Sequence, residues 1–180
     1  KKLILDLRNN GGGYLQQAVD VTNEFLEDNL EIVSTKGDFR KKKTYFSSNK
    51  GLFKKGELVV LINENSASAS EILAGAIQDH DRGIIVGEKS FGKGLVGEQI
   101  KLRDGGALRI TVAKYFTPSG RCIQKPYNSS ETLMDIKEFR TKEGRIVYSE
   151  GGITPDILIL EDTISDVESK FWGRNYNTLY

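Results

Sequence analysis

The segment "ELVVLINENSASASEILAGAIQDHDRGIIVGEK", residues 57–89, constrains the fold more than any other part of the chain. "ELVVLIN" is an apolar, β-branched run of strand length. "SEILAGAIQDHD" then sets Ile72, Leu73, Ala76 and Ile77 on one helical face, and "GIIVGEK" returns as a short apolar strand. Strand, helix and strand in that order require a crossover, and the crossover makes the two strands a parallel pair. An α/β fold class follows.

The remaining chain extends this unit. "KLILDL" reads as a buried strand, "RNNGGG" breaks it, and residues 14–28 place Leu15, Val19, Thr22, Phe25 and Leu26 on one helical stripe. "LEIVSTKG" and "KKKTYFS" read as two strands. From residue 98 the period changes to two: "EQIKLR", a "DGG" turn and "ALRITVAKYF" predict an antiparallel hairpin. Residues 125–149 are polar and irregular and read as a flexible loop, and "GGITPDILIL" supplies a last turn and strand. Residues 1–160 therefore read as one core, and 161–180 as a C-terminal tail with a modest helical pattern.

Bulk properties exclude several chemistries. With 26 Lys and Arg against 25 Asp and Glu, the net charge of +1 offers no electrostatic footprint for nucleic acid. One cysteine, Cys122, and one histidine, His80, cannot assemble a zinc site of three or four nitrogen and sulfur ligands. A thiol- or zinc-based mechanism is therefore not expected. No run approaches the roughly 20 apolar residues of a membrane-spanning helix.

Three serines, Ser66, Ser68 and Ser70, alternate where strand passes into helix. Ser68 and Glu71 have capping-box spacing, which a stable helix start alone would explain. The same place suits a nucleophile, because the helix N-terminus favours developing negative charge and the N–H of Ala69 can meet an oxyanion. His80 cannot be its base: twelve residues along one helix is about 18 Å. Lys93, between Gly92 and Gly94 in "SFGKGLVG", is the remaining candidate, provided that apolar neighbours desolvate its amine. Glycine amides of "RNNGGG" can supply a second oxyanion donor. A rival exists in "GEKSFGKG", which matches a phosphate-binding loop. Gly94 stands where a magnesium-binding hydroxyl belongs, however, and the residues beyond alternate like a strand. A non-catalytic peptide-binding fragment is the third reading.

Together "LDLRNNGGG", "NENSASASEILAGAIQDHDRGIIVGEKSFGKGLV", "YFTPSGRCIQ" and "GGITPD" resemble the C-terminal processing peptidases, or tail-specific proteases. The resemblance implies a ClpP/crotonase-like α/β core of βα units, with a mainly parallel sheet, an antiparallel hairpin and an irregular C-terminal segment. It implies a serine endopeptidase acting on unstructured protein C-termini without metal or cofactor, in an extracytoplasmic bacterial setting, and leaves homo-oligomerisation open. Carried onto this sequence, it places the nucleophile on Ser68, the general base on Lys93, and the oxyanion donors on Ala69 and Gly13. The family has a PDZ domain ahead of or within the region before the first strand. None is read in these residues, so a catalytic-core fragment of uncertain competence is expected. A lysine-orienting glutamine of the family pattern is replaced by Gly97, and Gln99, two residues on and on the same strand face, is the expected substitute.

Overall fold

The computed structural model describes residues 1–125 and 136–160. Its elements are β1 (Lys2–Asp6), α1 (Leu15–Asn23), β2 (Glu31–Lys36), β3 (Lys43–Phe46), β4 (Glu57–Ile62), α2 (Ala69–Asp79), β5 (Ile84–Gly87), β6 (Leu95–Lys101), β7 (Ala107–Phe116), β8 (Glu138–Arg140), β9 (Ile146–Tyr148) and β10 (Ile157–Leu158). The expected α/β class is present. One sheet is fully parallel, in the order β1-β4-β5-β10, with Val60 set between Leu5 and Ile85. β4, α2 and β5 form the crossover unit that their sequence demands.

The expected antiparallel hairpin, β6 and β7, belongs to a second four-stranded sheet of order β3-β2-β7-β6. α2 lies between the two sheets, packed against β5 on one side and β2 on the other, with α1 alongside it and against β2 and β3. This explains why α2 is buried from Ser70 to Asp79 rather than on one stripe. Its apolar face, with Ile72, Leu73, Ala76 and Ile77, meets Leu58, Val60, Ile62 and Ile85 of the parallel sheet and Ile32 and Val33 of β2 in one core. Each large apolar side chain hidden there contributes about 1.5–3 kcal/mol. Removing Ile77, which is fully buried, would cost about 2–5 kcal/mol.

The polar residues on the buried helix are all paired. Arg121 reaches Gln78 Oε1 at 2.7 Å and Asp79 Oδ1 at 2.6 Å, and Gln78 Nε2 donates to the Thr154 carbonyl. Pairing of this kind is the condition for burying a carboxylate at all.

Of the expected flexible loop over 125–149, residues 126–135 lie outside the described residues, and the described remainder departs from it. Residues 136–149 hold a small antiparallel ribbon, with Phe139 opposite Val147. Strands of three residues are too short to show a period, and contacts distant in sequence hold them: Lys142 N–H donates to the Asp79 carbonyl, and Arg145 bridges Asp81 and Asp156. The tail, 161–180, and its expected helical pattern lie outside the described residues.

Candidate active site

Between β4 and α2 the chain makes a turn through residues 63–68, and Ser68 caps the helix with φ 58° and ψ −110°. A non-glycine residue there stores strain, which persists only where surrounding bonds enforce it. Those bonds are visible. Ser66 is fully buried, with its hydroxyl donating to the Leu7 carbonyl at 2.8 Å and accepting from Asn63 N–H at 3.0 Å. The Ser70 hydroxyl donates to the Asn10 carbonyl at 2.9 Å. Both outer serines are thus committed to structure, and Ser68 alone of the three is partly exposed.

The glycine loop after β1 is fastened to this turn. Asn63 Oδ1 accepts from Asn9 N–H at 2.8 Å, and the Asn10 carbonyl accepts from Ala67 N–H at 3.0 Å. Gly12 has φ +87°, and a β-carbon on it would fall 2.5 Å from the Ala67 carbonyl oxygen and 2.6 Å from the Ala69 nitrogen. Only glycine fits so close to the serine turn. Gly12 N–H is already occupied by Asn10 Oδ1 at 2.9 Å. The amides of Gly13 and Ala69 donate to no group among the described residues, and both residues line one cavity.

The third part is the loop between β5 and β6. Glu71, on the first turn of α2 and fully buried, receives four hydrogen bonds. Its Oε1 accepts from the Ser90 hydroxyl at 2.6 Å and from Gly92 N–H at 2.7 Å. Its Oε2 accepts from Ser68 N–H at 2.7 Å and Lys93 N–H at 2.9 Å. A single carboxylate oxygen therefore holds the backbone nitrogens of Ser68 and Lys93, no farther apart than the sum of those two distances. Such charge-assisted bonds are stronger than neutral ones, and four of them use the acceptor capacity of the group. Phe91 N–H adds a direct bond to the Ser66 carbonyl at 3.0 Å.

Two further segments close around the lysine loop. Gly94 N–H donates to Gln124 Oε1, Ile153 N–H donates to the Ser90 hydroxyl, and Lys125 N–H donates to the Gly92 carbonyl. A β-carbon on Gly92 would lie 2.8 Å from the Lys125 β-carbon, and one on Gly152 would lie 2.5 Å from the Ser90 carbonyl. All four quoted motifs therefore end at one place. Capping-box spacing pointed to Glu71 only as a helix cap, and Ser90, Gln124 and Gly152 carried no local signal.

Two expectations about the lysine need correction. Its neighbours do not bury the side chain: the loop buries Gly92 and Gly94 and leaves Lys93 between them exposed. It lies in a cleft of about 550 Å³ with Phe91, Leu95, Gly97, Arg109 and Thr111. Gln99 is not brought to this cleft; it stands farther along β6, opposite Arg109. Arg109 instead fills the space over Gly97, with its Nε 3.2 Å from where a β-carbon would be. The phosphate-loop rival meets its own difficulty, because β6, not a helix, follows Gly94.

The pattern of peptidase family S41 matches residues 1–130. The carboxy-terminal-processing protease of Bartonella bacilliformis is 52% identical over 125 residues, which are 69% of this chain and 29% of that protein. The carboxyl-terminal-processing protease of Synechocystis is 44% identical over 122 residues, 68% of this chain and 28% of that protein. The chain thus spans under a third of the length of these relatives. Among solved structures, the photosystem II D1 C-terminal processing protease superposes with a TM-score of 0.69 at 33% identity, covering 93% of this chain and 37% of that one. A match that runs from the first strand through the serine turn to the lysine loop leaves one assignment: this chain belongs to peptidase family S41.

Proposed function

We propose that the chain is the catalytic core of a serine endopeptidase that hydrolyses peptide bonds near unstructured protein C-termini, with Ser68 as nucleophile and Lys93 as general base. The observation that carries the reading is the shared oxygen of Glu71, which fastens the two residues' backbones side by side. The strained backbone at Ser68 singles it out from Ser66 and Ser70.

In this reading the unprotonated amine of Lys93, on its flexible four-carbon stem, takes the proton of the Ser68 hydroxyl as the oxygen attacks the substrate carbonyl. The unpaired amides of Ala69 and Gly13 receive the developing oxyanion at the positive end of α2. The protonated amine then gives its proton to the leaving nitrogen. Water, with Lys93 again as base, resolves the acyl-enzyme.

The substrate class is inferred from the names of the relatives from Bartonella bacilliformis and Synechocystis, and an extracytoplasmic setting from the resemblance of the sequence motifs alone. The test is labelling by a fluorophosphonate combined with turnover of an unstructured peptide. Modification of Ser68 and loss of turnover in both Ser68→Ala and Lys93→Ala support the reading. Full turnover in Lys93→Ala removes the lysine from its role.

A further inference from the structure

Lys93 shares its cleft with a second cation, Arg109, and no carboxylate lines that space. Neither side chain is paired with an acid among the described residues. The one acid of β6, Glu98, is spent on Arg40 at 2.6 Å. Glu98 stands opposite Ile110 and Arg109 opposite Gln99, so the alternation of the strands puts Glu98 and Arg109 on opposite faces of the β6–β7 ribbon. Arg109 does not stay over its register partner. Its Cγ and Nε lie 3.8 and 3.2 Å from where a β-carbon on Gly97 would be, so the side chain leans along β6 toward the lysine loop. From Gln99 to Gly97 is two residues of strand, about 7 Å. Any side chain at position 97 would fill that path, and glycine leaves it open.

In the reaction proposed for this site the Lys93 amine gives its proton to the leaving nitrogen, so the leaving peptide departs on the lysine side, into this cleft. Once that proton has gone, Arg109 is the cation that remains among the lining residues. We infer that the Arg109 guanidinium receives a carboxylate of the leaving peptide, and that it thereby selects substrates that are acidic on that side of the scissile bond. This rests on the serine-peptidase reading of Ser68 and Lys93 and extends it to specificity. The carboxylate has two sources, an acidic side chain or the free end of the leaving peptide. Both offer the pair of oxygens that a guanidinium fork holds through two parallel hydrogen bonds. A cationic leaving side would meet the like charge of Arg109.

The experiment uses the Ser68→Ala chain at low ionic strength, with short peptides that mimic the leaving product, so that binding is read without turnover. The peptides share one neutral sequence: one has a free carboxylate end, one an amidated end, and two amidated forms carry a Glu or a Lys within the sequence. They are titrated while the Arg109 Nε–H and Gly97 N–H resonances are followed by NMR. At least one of the two carboxylate peptides should shift both resonances and bind roughly fivefold or more tighter than the neutral amide, with the Lys peptide weakest. Which of the two gains assigns the source, the chain end or the side chain. Arg109→Gln, at an exposed position, should bring the whole series within about twofold, and Arg109→Glu should make the Lys peptide the tightest. Lys101→Gln removes the same charge from β6 outside the cleft and should leave the preference in place. Equal affinities across the series, no binding by any peptide, a preference that survives Arg109→Gln, or one that falls equally in Lys101→Gln would overturn the inference. Fluorophosphonate labelling of the unmutated chain reads the nucleophile separately, because that probe has no leaving peptide. Carboxylate preference without labelling retains Arg109 and removes Ser68, and labelling without the preference does the reverse.

Discussion

Replacing Glu71 with glutamine removes one acceptor oxygen from a site where four donors converge, and the structure says which way the amide will turn. With the new NH2 group on the Oε2 side, it would face the N–H groups of Ser68 and Lys93, and neither can reorient. On the Oε1 side it would face the Gly92 amide, which is equally fixed, and the Ser90 hydroxyl, which can rotate and accept. The second orientation is cheaper. It leaves the Gly92 N–H and the Ser90 O–H without their acceptor, each costing about 1–3 kcal/mol, and weakens the other bonds by loss of the charge. The expected total is about 3 kcal/mol. For a chain of this length that lowers the melting temperature by roughly 6–12 °C. Urea denaturation reads the stability, and the rate of fluorophosphonate labelling of Ser68 reads the turn that Glu71 holds. Both should fall in Glu71→Gln. An unchanged denaturation midpoint together with an unchanged labelling rate would refute the idea that this carboxylate joins the serine turn to the lysine loop.

Four other outcomes follow from the same geometry. Gly12→Ala forces a β-carbon onto the Ala67 carbonyl and Ala69 nitrogen at a left-handed φ, so labelling of Ser68 should drop at least tenfold, about 1.4 kcal/mol; Gly11→Ala, with nothing within 4 Å, is the control and should label normally. Among the serines, Ser66→Ala and Ser70→Ala should lower the melting temperature, and only Ser68→Ala should abolish the covalent adduct seen by mass spectrometry. Gln99→Ala should leave labelling and turnover within twofold of the unmutated chain, because Gln99 lies outside the lysine cleft. Burial pushes the Asp81 carboxyl up, but hydrogen bonds from Glu143 N–H and Arg145 more than offset this and hold it below the ordinary aspartate value. Its contribution is therefore complete above the normal aspartate range and lost as pH falls through the depressed value. Thermal melts at descending pH should show a steeper acid loss in the unmutated chain than in Asp81→Asn.

How much of this was legible in the sequence depends on how local the determining interaction is. The crossover of β4, α2 and β5 is written in consecutive residues, and so are the glycine loop and the β6–β7 turn. The second sheet is less accessible: β2 and β7 pair across about eighty residues, and nothing near Ser34 announces Phe116 as its neighbour. The β8–β9 ribbon was hidden in a polar stretch because Arg145 and the backbone of residues 142–143 hold it to the end of α2, through contacts no periodicity reveals. Glu71 shows the limit most clearly. Its spacing from Ser68 marks a helix cap, which it is, yet three of its four donors come from a loop some twenty residues farther on. The lysine was misjudged for the opposite reason. Apolar neighbours in sequence suggested burial, whereas the loop buries the flanking glycines and leaves the lysine side chain exposed.

The central claim is that the exposed amine of Lys93 swings onto the Ser68 hydroxyl when a peptide occupies the site. A crystal structure of the Ser68→Cys chain with a bound substrate peptide would shift the nucleophile's chemistry, so the direct measurement is a structure of the unmutated chain with a peptide boronate on Ser68. The account predicts Lys93 Nζ at about 3 Å from Ser68 Oγ, and the boronate oxygen against the amides of Gly13 and Ala69. A boronate seated on Ser68 with the Lys93 amine still in solvent would contradict it.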